Sequence, residues 1–434
     1  MTQITVDFTK QIGRIKPMHA VGQPPFFGID FSMCDYLKKA HVPYSRLHDV
    51  GGWYGGNMFV DIPNLFRDFD ADPEDPASYD FAFTDLLITA LVERGIEPFF
   101  RLGVTIENFC KVRAYRIHPP ADYQKWALVC EKIIRHYTEG WADGFHYKIT
   151  YWEIWNEPDN YEDPKENQMW TGSPEDYYRL YEVASKHLKA CFPHLKIGGY
   201  ASCGFYALTR SSNRFGACSP RYQYFIDFFD GFLDYIKAHD CPLDFFSWHS
   251  YSSIQDNLIW AEYARRRLDE SGYAHAEHTL NEWNCKPDLK GTARHAALTA
   301  GMMLALQGSS LDSAMFYDAR CGMGAYSGLF DCMTYQPLPA YYSMAAFGEL
   351  YVRANEVSVD GLPEGMYGCA AMADDGVLVL SNTNEAPETI SLQSIGAGAV
   401  LESKIIQDGA TWEDWVFAGQ IPENAVVYLR YALG

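Results

Sequence analysis

The sequence predicts an α/β fold, in which a (β/α)8 barrel is followed by a C-terminal antiparallel β-sandwich. The first observation is that short apolar runs alternate with amphipathic helical stretches through the middle of the chain. Alternating strands and helices form parallel sheets, and eight such units close into a TIM barrel. The second observation is a change after about residue 350, where strand-like pieces follow one another with no helical pattern between them.

Eight apolar runs supply the predicted barrel strands. In chain order they are MHAVG, YSRLHDV, IEPFFRLGV, YKITYWEIWNEP, LKIGGYAS, LDFFSWHSY, HTLNEWN and SAMFYDA. The helical stretches between them carry start and stop signals: ADYQKWALVCEKIIRHYTEG ends in glycine, and SPEDYYRLYEVASKHLKACF begins with Ser-Pro-Glu. The catalytic barrel is therefore assigned to residues 17–350.

The region 351–434 is assigned to the β-sandwich. Its strand candidates are GMYGCAAMAD, GVLVLSNTN, ETISLQSIG and AVVYLRYAL, and turn residues separate them. Residues 1–16, which contain ITVDFTK, are a candidate for one further strand of this domain.

Composition and charge exclude several classes of protein. A net charge of −21 argues against nucleic acid as a partner, because phosphate neutralisation needs clustered Lys and Arg, and it also argues against a membrane surface. The chain has no signal-peptide pattern and no apolar run of about 18 residues. Its eleven cysteines are scattered without a C-x-x-C pair, which predicts free thiols, no zinc site and a cytoplasmic location. A homo-oligomer is left open.

Two glutamates lie at the ends of predicted strands. Glu157 follows YWEIW in the tetrapeptide WNEP, and Glu282 lies in NEWN. If these are the fourth and seventh barrel strands, both side chains reach the same face of the barrel. Retaining cleavage of a glycoside needs two carboxyl groups about 5 Å apart, one as acid/base and one as nucleophile. One such Glu can equally be a solvated strand end, but the pair predicts a retaining glycoside hydrolase.

Polar neighbours on the same strand ends are candidates for supporting roles. Asn156 offers a donor and an acceptor to a sugar hydroxyl. Arg46 and His48 end the predicted second strand in SRLHD, where a cation would keep Glu282 ionised while Glu157 stays protonated. A structural Arg and a buried, hydrogen-bonded His are the alternative interpretation.

Glu153 is interpreted differently from the pair. By strand alternation it shares the face of Glu157 but lies deeper in the barrel. We expect it to be a buried structural partner for an arginine such as Arg46 or Arg101. Cys285 is expected to be a bystander thiol, because no His–Asn pair accompanies it.

These motifs resemble clan A glycoside hydrolases, and most closely family 39, which includes β-xylosidases and α-L-iduronidases. The resemblance extends over nearly the whole chain. YDFAFTDLLITALVERGIEPFFRLG resembles the helix-two and strand-three region, and YSGLFD followed by QPLPAYYSMAAF resembles the approach to the last barrel helix. The resemblance implies that Glu157 is the acid/base and Glu282 the nucleophile.

The same resemblance bears on the substrate-binding residues. The family has an Arg and a His at the positions of Arg46 and His48, and His249 and Tyr251 in SWHSY match strand-six residues that contact sugar and nucleophile. Structural roles for His249 and Tyr251 are the alternative interpretation. Family xylosidases carry a Trp near the end of strand eight, whereas this chain has AMFYD, so Tyr317 or its neighbour Phe316 would form that floor.

The sequence therefore predicts a retaining exo-glycosidase, first of all a β-xylosidase-like pentosidase acting on plant-derived oligosaccharides. Long loops at Asp159–Pro174, Ser202–Pro220 and Arg320–Gln336 would wall off a pocket and favour exo action. An α-L-arabinosidase or another family 39 activity is the alternative, since NEWN is also similar to the DEWN of family 51. A transglycosylase and a catalytically silent carbohydrate-binding protein are rivals. No cofactor and no metal is expected.

Overall fold

A computed structural model describes residues 2–50, 60–106, 117–210, 218–285, 287–321, 324 and 326–433. The chain begins with strand β1 (Thr2–Arg14), which lies outside the barrel. The next eight strands form a closed parallel barrel in chain order. They are β2 (Ala20–Gly22), β3 (Tyr44–Leu47), β4 (Glu97–Leu102), β5 (Tyr151–Ile154), β6 (Lys196–Ser202), β7 (Phe245–Ser250), β8 (Glu277–Trp283) and β9 (Ser313–Phe316).

Helices follow the barrel strands and cover the outside of the barrel. Within the described ranges they are α1 (Cys34–Lys39), α2 (Ile62–Leu65), α3 (Ala82–Val92), α4 (Tyr123–Thr138), α5 (Pro174–Cys191), α6 (Pro220–Ala238), α7 (Ile254–Glu270), α8 (Ala293–Gln307) and α9 (Pro339–Arg353). Side-chain caps define several starts: Asp122 caps α4, and Ser173 with Asp176 forms a capping box at α5. All eight predicted strands are confirmed.

The barrel strands are buried on both faces, as parallel strands are when helices cover them. Every residue of β7 is buried, and only the first residue of β8 is partly exposed. The inside of the barrel is filled in layers. An apolar layer consists of Ala20, Phe99, Phe245 and Met315. Hydrogen-bonded polar side chains lie toward the carboxyl ends of the strands, where the candidate site is found.

A second, nine-stranded sheet contains β1 and the strands that follow α9. These are β10 (Asn355–Asp360), β11 (Met366–Met372), β12 (Asp375–Asn382), β13 (Glu388–Ile395), β14 (Ala397–Gln407), β15 (Ala410–Asp414), β16 (Gln420–Ile421) and β17 (Ala425–Leu433). Their order is β15-β14-β17-β12-β11-β10-β1-β13-β16. All pairings are antiparallel except that of β1 with β13. A barrel with a separate, mostly antiparallel sheet confirms the predicted fold class, while the domain bounds 17–350 and 351–434 stay a prediction.

The two faces of the second sheet have different partners. Val377 and Val379 of β12 belong to the large core that includes the barrel helices. The alternate residues Leu378 and Leu380 pack with Ile4 and other residues of the sheet's own core. One face of the sheet therefore docks on the barrel, beside α8 and α9, and the other encloses a separate apolar core.

None of the helices in the described ranges combines the length and the apolar content needed to cross a membrane. Ten of the eleven cysteines lie within these ranges and all ten are free thiols. Cys110 lies outside the described residues.

Candidate active site

Arg46, near the end of β3, is hydrogen-bonded to three side chains at the carboxyl end of the barrel. Its Nε donates to Glu153 Oε2 at 2.7 Å, Nη1 to Glu282 Oε1 at 2.7 Å and Nη2 to Asn156 Oδ1 at 2.6 Å. Burial opposes the charge of Arg46, but Glu153 and Glu282 outweigh it and raise the guanidinium pKa. Glu153 is fully buried and paired with Arg46, as expected from strand alternation.

Glu153 is held from its other side as well. Its Oε1 accepts hydrogen bonds from Ser247 Oγ at 2.6 Å and from Asn281 Nδ2 at 2.5 Å. The sequence reasoning missed Ser247 and Asn281. Their signal was positional, because each lies within two residues of a predicted site residue on the same strand. Together with Arg46 they form a polar layer in the barrel, and Glu157 and Glu282 lie above this layer.

Glu282 lies in β8 with both carboxylate oxygens engaged. Arg46 contacts Oε1, and Tyr251 Oη donates to Oε2 at 2.8 Å. Burial is the largest influence on Glu282 and raises its pKa, while the charges of His249 and Arg46 oppose that rise. A parallel-register shift between Trp248 and His249 sets His249 opposite Glu282. The irregularity re-aims both side chains toward the same point.

Glu157 follows β5 in a strained turn. Trp155 and Glu157 have φ angles of 72° and 44°, in the left-handed region that non-glycine residues rarely adopt. The turn is anchored between the neighbouring strands, since Trp155 N donates to Leu102 O and Glu157 N to Ala201 O. Such backbone conformations are concentrated at functional sites.

The carboxylate of Glu157 has one partner on each oxygen. His249 Nδ1 lies 2.7 Å from Oε1, and Asn160 Nδ2 donates to Oε2 at 2.8 Å. Burial by itself raises the pKa of Glu157, but the hydrogen bond and charge of His249 and the hydrogen bond of Asn160 outweigh it, so that the pKa is lowered. For His249, burial is outweighed by Glu282 and Glu157, and its pKa is raised.

These pKa directions reverse an expectation from the sequence. We expected a cation to hold Glu282 ionised while Glu157 stayed protonated. In the structure the pKa of Glu157 is lowered and that of Glu282 is raised. The physical reason is that His249 lies 2.7 Å from Glu157 and 3.5 Å from Glu282, so its proton favours the Glu157 carboxylate.

The two glutamates lie close together. One carboxylate oxygen of Glu157, one of Glu282 and a ring nitrogen of His249 all lie within 4.8 Å of one another. By distance alone these atoms could hold a cation. The hydrogen bonds from Arg46 and Tyr251 already satisfy the Glu282 oxygens, and a cation here would face the Arg46 guanidinium. The donor set therefore fits a hydrogen-bonded network better than a metal centre.

A second group of possible ligands lies between α4 and α5, on the outer ring of helices. Glu131, His187 and Cys191 place one donor atom each within 4.8 Å of one another. Glu131 already has two partners, an ion pair with Arg135 Nε at 2.7 Å and a hydrogen bond with His187 Nε2 at 2.6 Å. These contacts account for the cluster without an ion.

A polar network lies beside the glutamates, across the ends of β2, β3 and β9. Tyr317 Oη donates to Asp49 Oδ2 at 2.9 Å and accepts from Gln23 Nε2 at 2.5 Å. Burial and the charge of Glu282 raise the pKa of Asp49 to about 7. A Cβ on Gly22 would lie 2.9 Å from Tyr317 Cδ2, so this glycine makes room for the ring. The sequence reasoning named Tyr317 but missed Gln23 and Asp49.

His48 supports this network. Its Nδ1 accepts from Arg101 Nε at 3.2 Å, and its Nε2 lies 3.0 Å from Asp49 Oδ1. Burial and the charge of Arg101 lower the pKa of His48 well below its ordinary value, so the ring is neutral. Nε2 is therefore the donor to Asp49. Direct sugar binding by His48 stays a prediction, because both of its nitrogens have protein partners.

Three tyrosines form an aromatic wall at the mouth of the site. The Tyr326 ring lies 4.5 Å from that of Tyr251 and 5.8 Å from that of Tyr317, centroid to centroid. Tyr326 is 37% exposed, whereas Tyr317 is 5% exposed. Tyr326 lies in the long segment after β9 and was not predicted from the sequence.

The structure brings the sequence-predicted site residues together at one end of the barrel. Within the described residues, direct contacts connect Glu157 with His249, and connect Glu282 with Arg46 and Tyr251. The other predicted residues, Asn156, His48 and Tyr317, enter through Arg46 and Asp49. Their catalytic and binding roles remain predictions.

The chain belongs to glycosyl hydrolases family 39, whose family model matches residues 40–265. A β-xylosidase of Geobacillus stearothermophilus is 25% identical over 244 residues, which cover 54% of this chain and 43% of the relative. A β-xylosidase of Caldicellulosiruptor saccharolyticus is 25% identical over 304 residues, covering 66% of this chain and 56% of the relative. The matched region thus spans about half the length of these curated relatives.

Solved structures share the fold of the whole chain. A glucosidase from Croceicoccus marinus superposes with a TM-score of 0.79 at 21% identity, covering 100% of this chain and 99% of that one. A monomeric β-xylosidase from Caulobacter crescentus superposes with a TM-score of 0.69 at 15% identity, covering 100% of both chains. At these identities the likeness shows the fold alone.

Proposed function

We propose that this chain is a retaining exo-glycosidase that releases a xylose-like pentose from the non-reducing end of an oligosaccharide. The observation that carries the proposal is the pair Glu157 and Glu282, with carboxylate oxygens within 4.8 Å of each other. Retaining enzymes separate these groups by about 5 to 5.5 Å, and inverting enzymes by roughly 6.5 to 9.5 Å. Membership of family 39 supports a glycosidase activity.

The proposed reaction has two displacements. A Glu282 oxygen attacks the anomeric carbon, the glycosidic C–O bond breaks, and Glu157 gives its proton to the leaving oxygen. Glu157 then takes a proton from water, the water oxygen bonds to the anomeric carbon, and the ester to Glu282 breaks. Two inversions at one carbon give net retention.

Hydrogen bonds at the site suit these roles. Arg46 and Tyr251 orient the two oxygens of Glu282 and stabilise the carboxylate that leaves in the second step. His249 Nδ1 lies 2.7 Å from Glu157 Oε1, so a proton can pass directly between the two groups. A glycosidic oxygen that reaches Oε1 favours the form in which Glu157 carries the proton.

The walls of the site support exo action on a small sugar. The segment after β5 runs from 155 to 173, and the described parts of the segments after β6 and β9 are 203–210 with 218–219, and 317–321 with 324 and 326–338. These segments are long for barrel loops. The last of them carries Tyr326, which covers Tyr251 and Tyr317. The xylose-like substrate rests on the two β-xylosidase relatives.

A panel of aryl glycosides tests the substrate. It consists of the β-xyloside, α-L-arabinofuranoside, α-L-arabinopyranoside, β-galactoside and β-glucoside, with the anomeric form of the product followed by NMR in the first minutes. We expect the highest kcat/KM on the β-xyloside, with β-xylose formed first. Preference for an arabinoside would change the substrate and leave the mechanism standing. Initial α-xylose would overturn retention.

Two rivals share this fold. A silent carbohydrate-binding protein would bind xylosides with no turnover, whereas the intact pair Glu157 and Glu282 predicts hydrolysis. A transglycosylase keeps both glutamates and differs in how well the site excludes water. Product analysis with an added sugar acceptor distinguishes it, because dominant transfer products would replace free pentose.

A further inference from the structure

Asn160 lies in the segment after β5, three residues beyond Glu157, and it contacts the glutamate directly. Its Nδ2 donates to Glu157 Oε2 at 2.8 Å, and its backbone N donates to Glu157 O at 3.1 Å. The side chain is buried, with 5% of the residue exposed. Asn160 therefore faces the carboxylate as a fixed neighbour and not as a mobile surface residue.

The orientation of the Asn160 amide follows from its partners. A carboxylate oxygen accepts hydrogen bonds, so the NH2 group and not the carbonyl oxygen must face Glu157. The same Nδ2 lies 3.8 Å from Cys203 Sγ as a weak second acceptor. Asn160 Oδ1 is buried and has no hydrogen-bond partner within the described part of the chain. The amide is thus held by its donor side alone.

The backbone around Asn160 is clamped from a different element. Arg221, at the start of α6, donates from Nε to Asn160 O at 2.8 Å. Its guanidinium lies 4.0 Å from the centroid of the Tyr161 ring and 5.3 Å from that of Phe225. This cation–π and hydrogen-bond clamp keeps the segment after β5 against α6. The clamp therefore fixes the backbone from which the Asn160 side chain reaches Glu157.

The two oxygens of Glu157 differ in their surroundings. His249 Nδ1 contacts Oε1 and also lies 3.5 Å from Glu282 Oε2, so Oε1 is the oxygen on the side of Glu282. Oε2 faces Asn160 instead. The Asn160 NH2 group can only donate, so it opposes a proton on Oε2. His249 Nδ1 can donate or accept, so Oε1 can hold a proton when Nδ1 has lost its own.

We propose that Asn160 is a positioning residue that confines the proton of Glu157 to Oε1, the oxygen that faces Glu282. The proposal rests on the proposed function of Glu157 as acid/base. In this proposal Asn160 acts through Glu157 and not through the sugar. It acts by favouring the carboxylate geometry in which Oε2 only accepts and Oε1 gives and takes the proton.

Substitution of Asn160 should therefore affect proton donation more than sugar binding. Leucine in Asn160→Leu is close in size to asparagine and has no donor, so both oxygens of Glu157 can hold the proton. In a fraction of the molecules the proton then lies on Oε2, away from Glu282. We expect kcat/KM to fall about tenfold for substrates with poor leaving groups and by less than threefold for dinitrophenyl glycosides, which need no acid. KM should change little, because no sugar contact is removed.

The pH profile gives a second readout. The Asn160 hydrogen bond lowers the pKa of Glu157. Its loss should therefore move the basic limb of the pH profile, where kcat/KM falls as the pH rises, to higher pH. Asn160→Asp should move the limb further in the same direction, because it replaces a donor by a second carboxylate. The charged and titratable groups that face Glu157 and stay unchanged are His249, Glu282, Asp159, Arg221, Cys203, Tyr206, Tyr251 and Tyr326.

Asn167 provides a matched control in the same loop. It is buried, and its side chain donates to Pro158 O and Tyr161 O, which are backbone atoms. Asn167→Leu should disturb the loop, lowering activity on all leaving groups alike without moving the basic limb. If both Asn160 variants behave in this way too, Asn160 is a structural residue and the inference is overturned.

Glu157→Ala separates the inference from the function on which it rests. If Glu157→Ala loses activity selectively on poor leaving groups while the Asn160 variants show no selectivity and no shifted limb, only the Asn160 inference fails. If Glu157→Ala is as active as the parent on every substrate, the acid/base assignment fails and takes the inference with it. Asn160→Asp keeps the test decisive should Asn160→Leu not fold, since it is nearly isosteric.

Discussion

Arg46 donates to two buried carboxylates and one amide, and it is fully buried itself. A guanidinium presents several donors in one plane, so a single side chain can orient Glu153 and Glu282 together. The motif SRLHD indicated a cation near the nucleophile. Strand alternation made Glu153 a buried partner of Arg46 or Arg101, and the structure selects Arg46, which therefore holds Glu153 and Glu282 together.

Arg46→Met should destabilise the fold and remove activity. The substitution leaves two carboxylates buried without their cation, a loss of about 3 to 5 kcal/mol in the free energy of unfolding. Urea denaturation measures it. The surface pair Arg67–Asp80, in which Arg67 is 69% exposed, is the control. Arg67→Met should change stability by less than about 0.5 kcal/mol, and equal losses in the two variants would contradict the role given to Arg46.

The two glutamates should respond differently to truncation. Glu282→Ala removes the attacking oxygen, so activity should fall severely on every substrate, and azide should yield a product of inverted configuration. Glu157→Ala removes the proton donor, so activated aryl glycosides should still react with the enzyme, and azide should yield a product of retained configuration. NMR of the glycosyl azides checks both.

Opposite stereochemistry in the two variants would exchange the roles of Glu157 and Glu282. If neither substitution slowed turnover by more than about tenfold, roughly 1.4 kcal/mol, the catalytic site would lie elsewhere.

At the scale of elements, α8 meets the second sheet at Gly301. A Cβ there would lie 2.9 Å from Thr383 Cγ2 and 3.0 Å from Tyr367 Cδ2. Nearby, Ser381 Oγ donates to Ala297 O of α8 at 2.7 Å. The glycine thus permits a close approach between a barrel helix and the end of β12.

Gly301→Leu should separate these elements. Leucine improves helix propensity by nearly 1 kcal/mol, but overpacking of a tight contact costs about 1 to 3 kcal/mol, so we expect a net loss of stability. Thermal and urea denaturation measure it. Glu262→Leu, at an exposed position of α7, is the control and should change stability by less than about 0.5 kcal/mol. A Gly301 variant as stable as the parent would show that the sheet can move away freely.

At the scale of the whole molecule, buried carboxyl groups make stability depend on pH. Burial, with the charge of Glu157 in addition, raises the pKa of Asp159 from 3.8 to about 7. Between these values the folded protein keeps a proton that the unfolded chain loses. This contribution to stability is complete below about pH 4 and is lost as the pH rises through about 7.

Asp159→Asn should flatten this dependence. Each such carboxyl contributes a slope of about 1.4 kcal/mol per pH unit between the two pKa values, and asparagine has no proton to lose. Urea denaturation at several pH values between about 5 and 8 measures the slope, with Asp374→Asn at an exposed site as the control. If the free energy of unfolding had the same pH dependence in Asp159→Asn and in the parent, the Asp159 carboxyl would be ionised throughout this range.

The eight barrel strands and four of the nine strands of the second sheet could be predicted, with β1 as an option, because their apolar runs are local patterns. Strands β10, β14, β15 and β16 were missed. Residues of β14 are largely exposed, so this strand carries a weak burial pattern. The parallel pairing of β1 with β13 joins the two ends of the sequence, and no local pattern contains it.

The sequence by itself determined the barrel, the second sheet and the two strand ends that carry Glu157 and Glu282, since periodicity and motifs are local properties. Only the tertiary structure decided that Asn160 and His249 are the partners of Glu157, and which oxygen of Glu282 is contacted by Arg46 and which by Tyr251. It also reversed the expected order of the two carboxyl pKa values. The reason is that a pKa depends on charges and hydrogen bonds a few ångströms away, and residues far apart in the chain supply them.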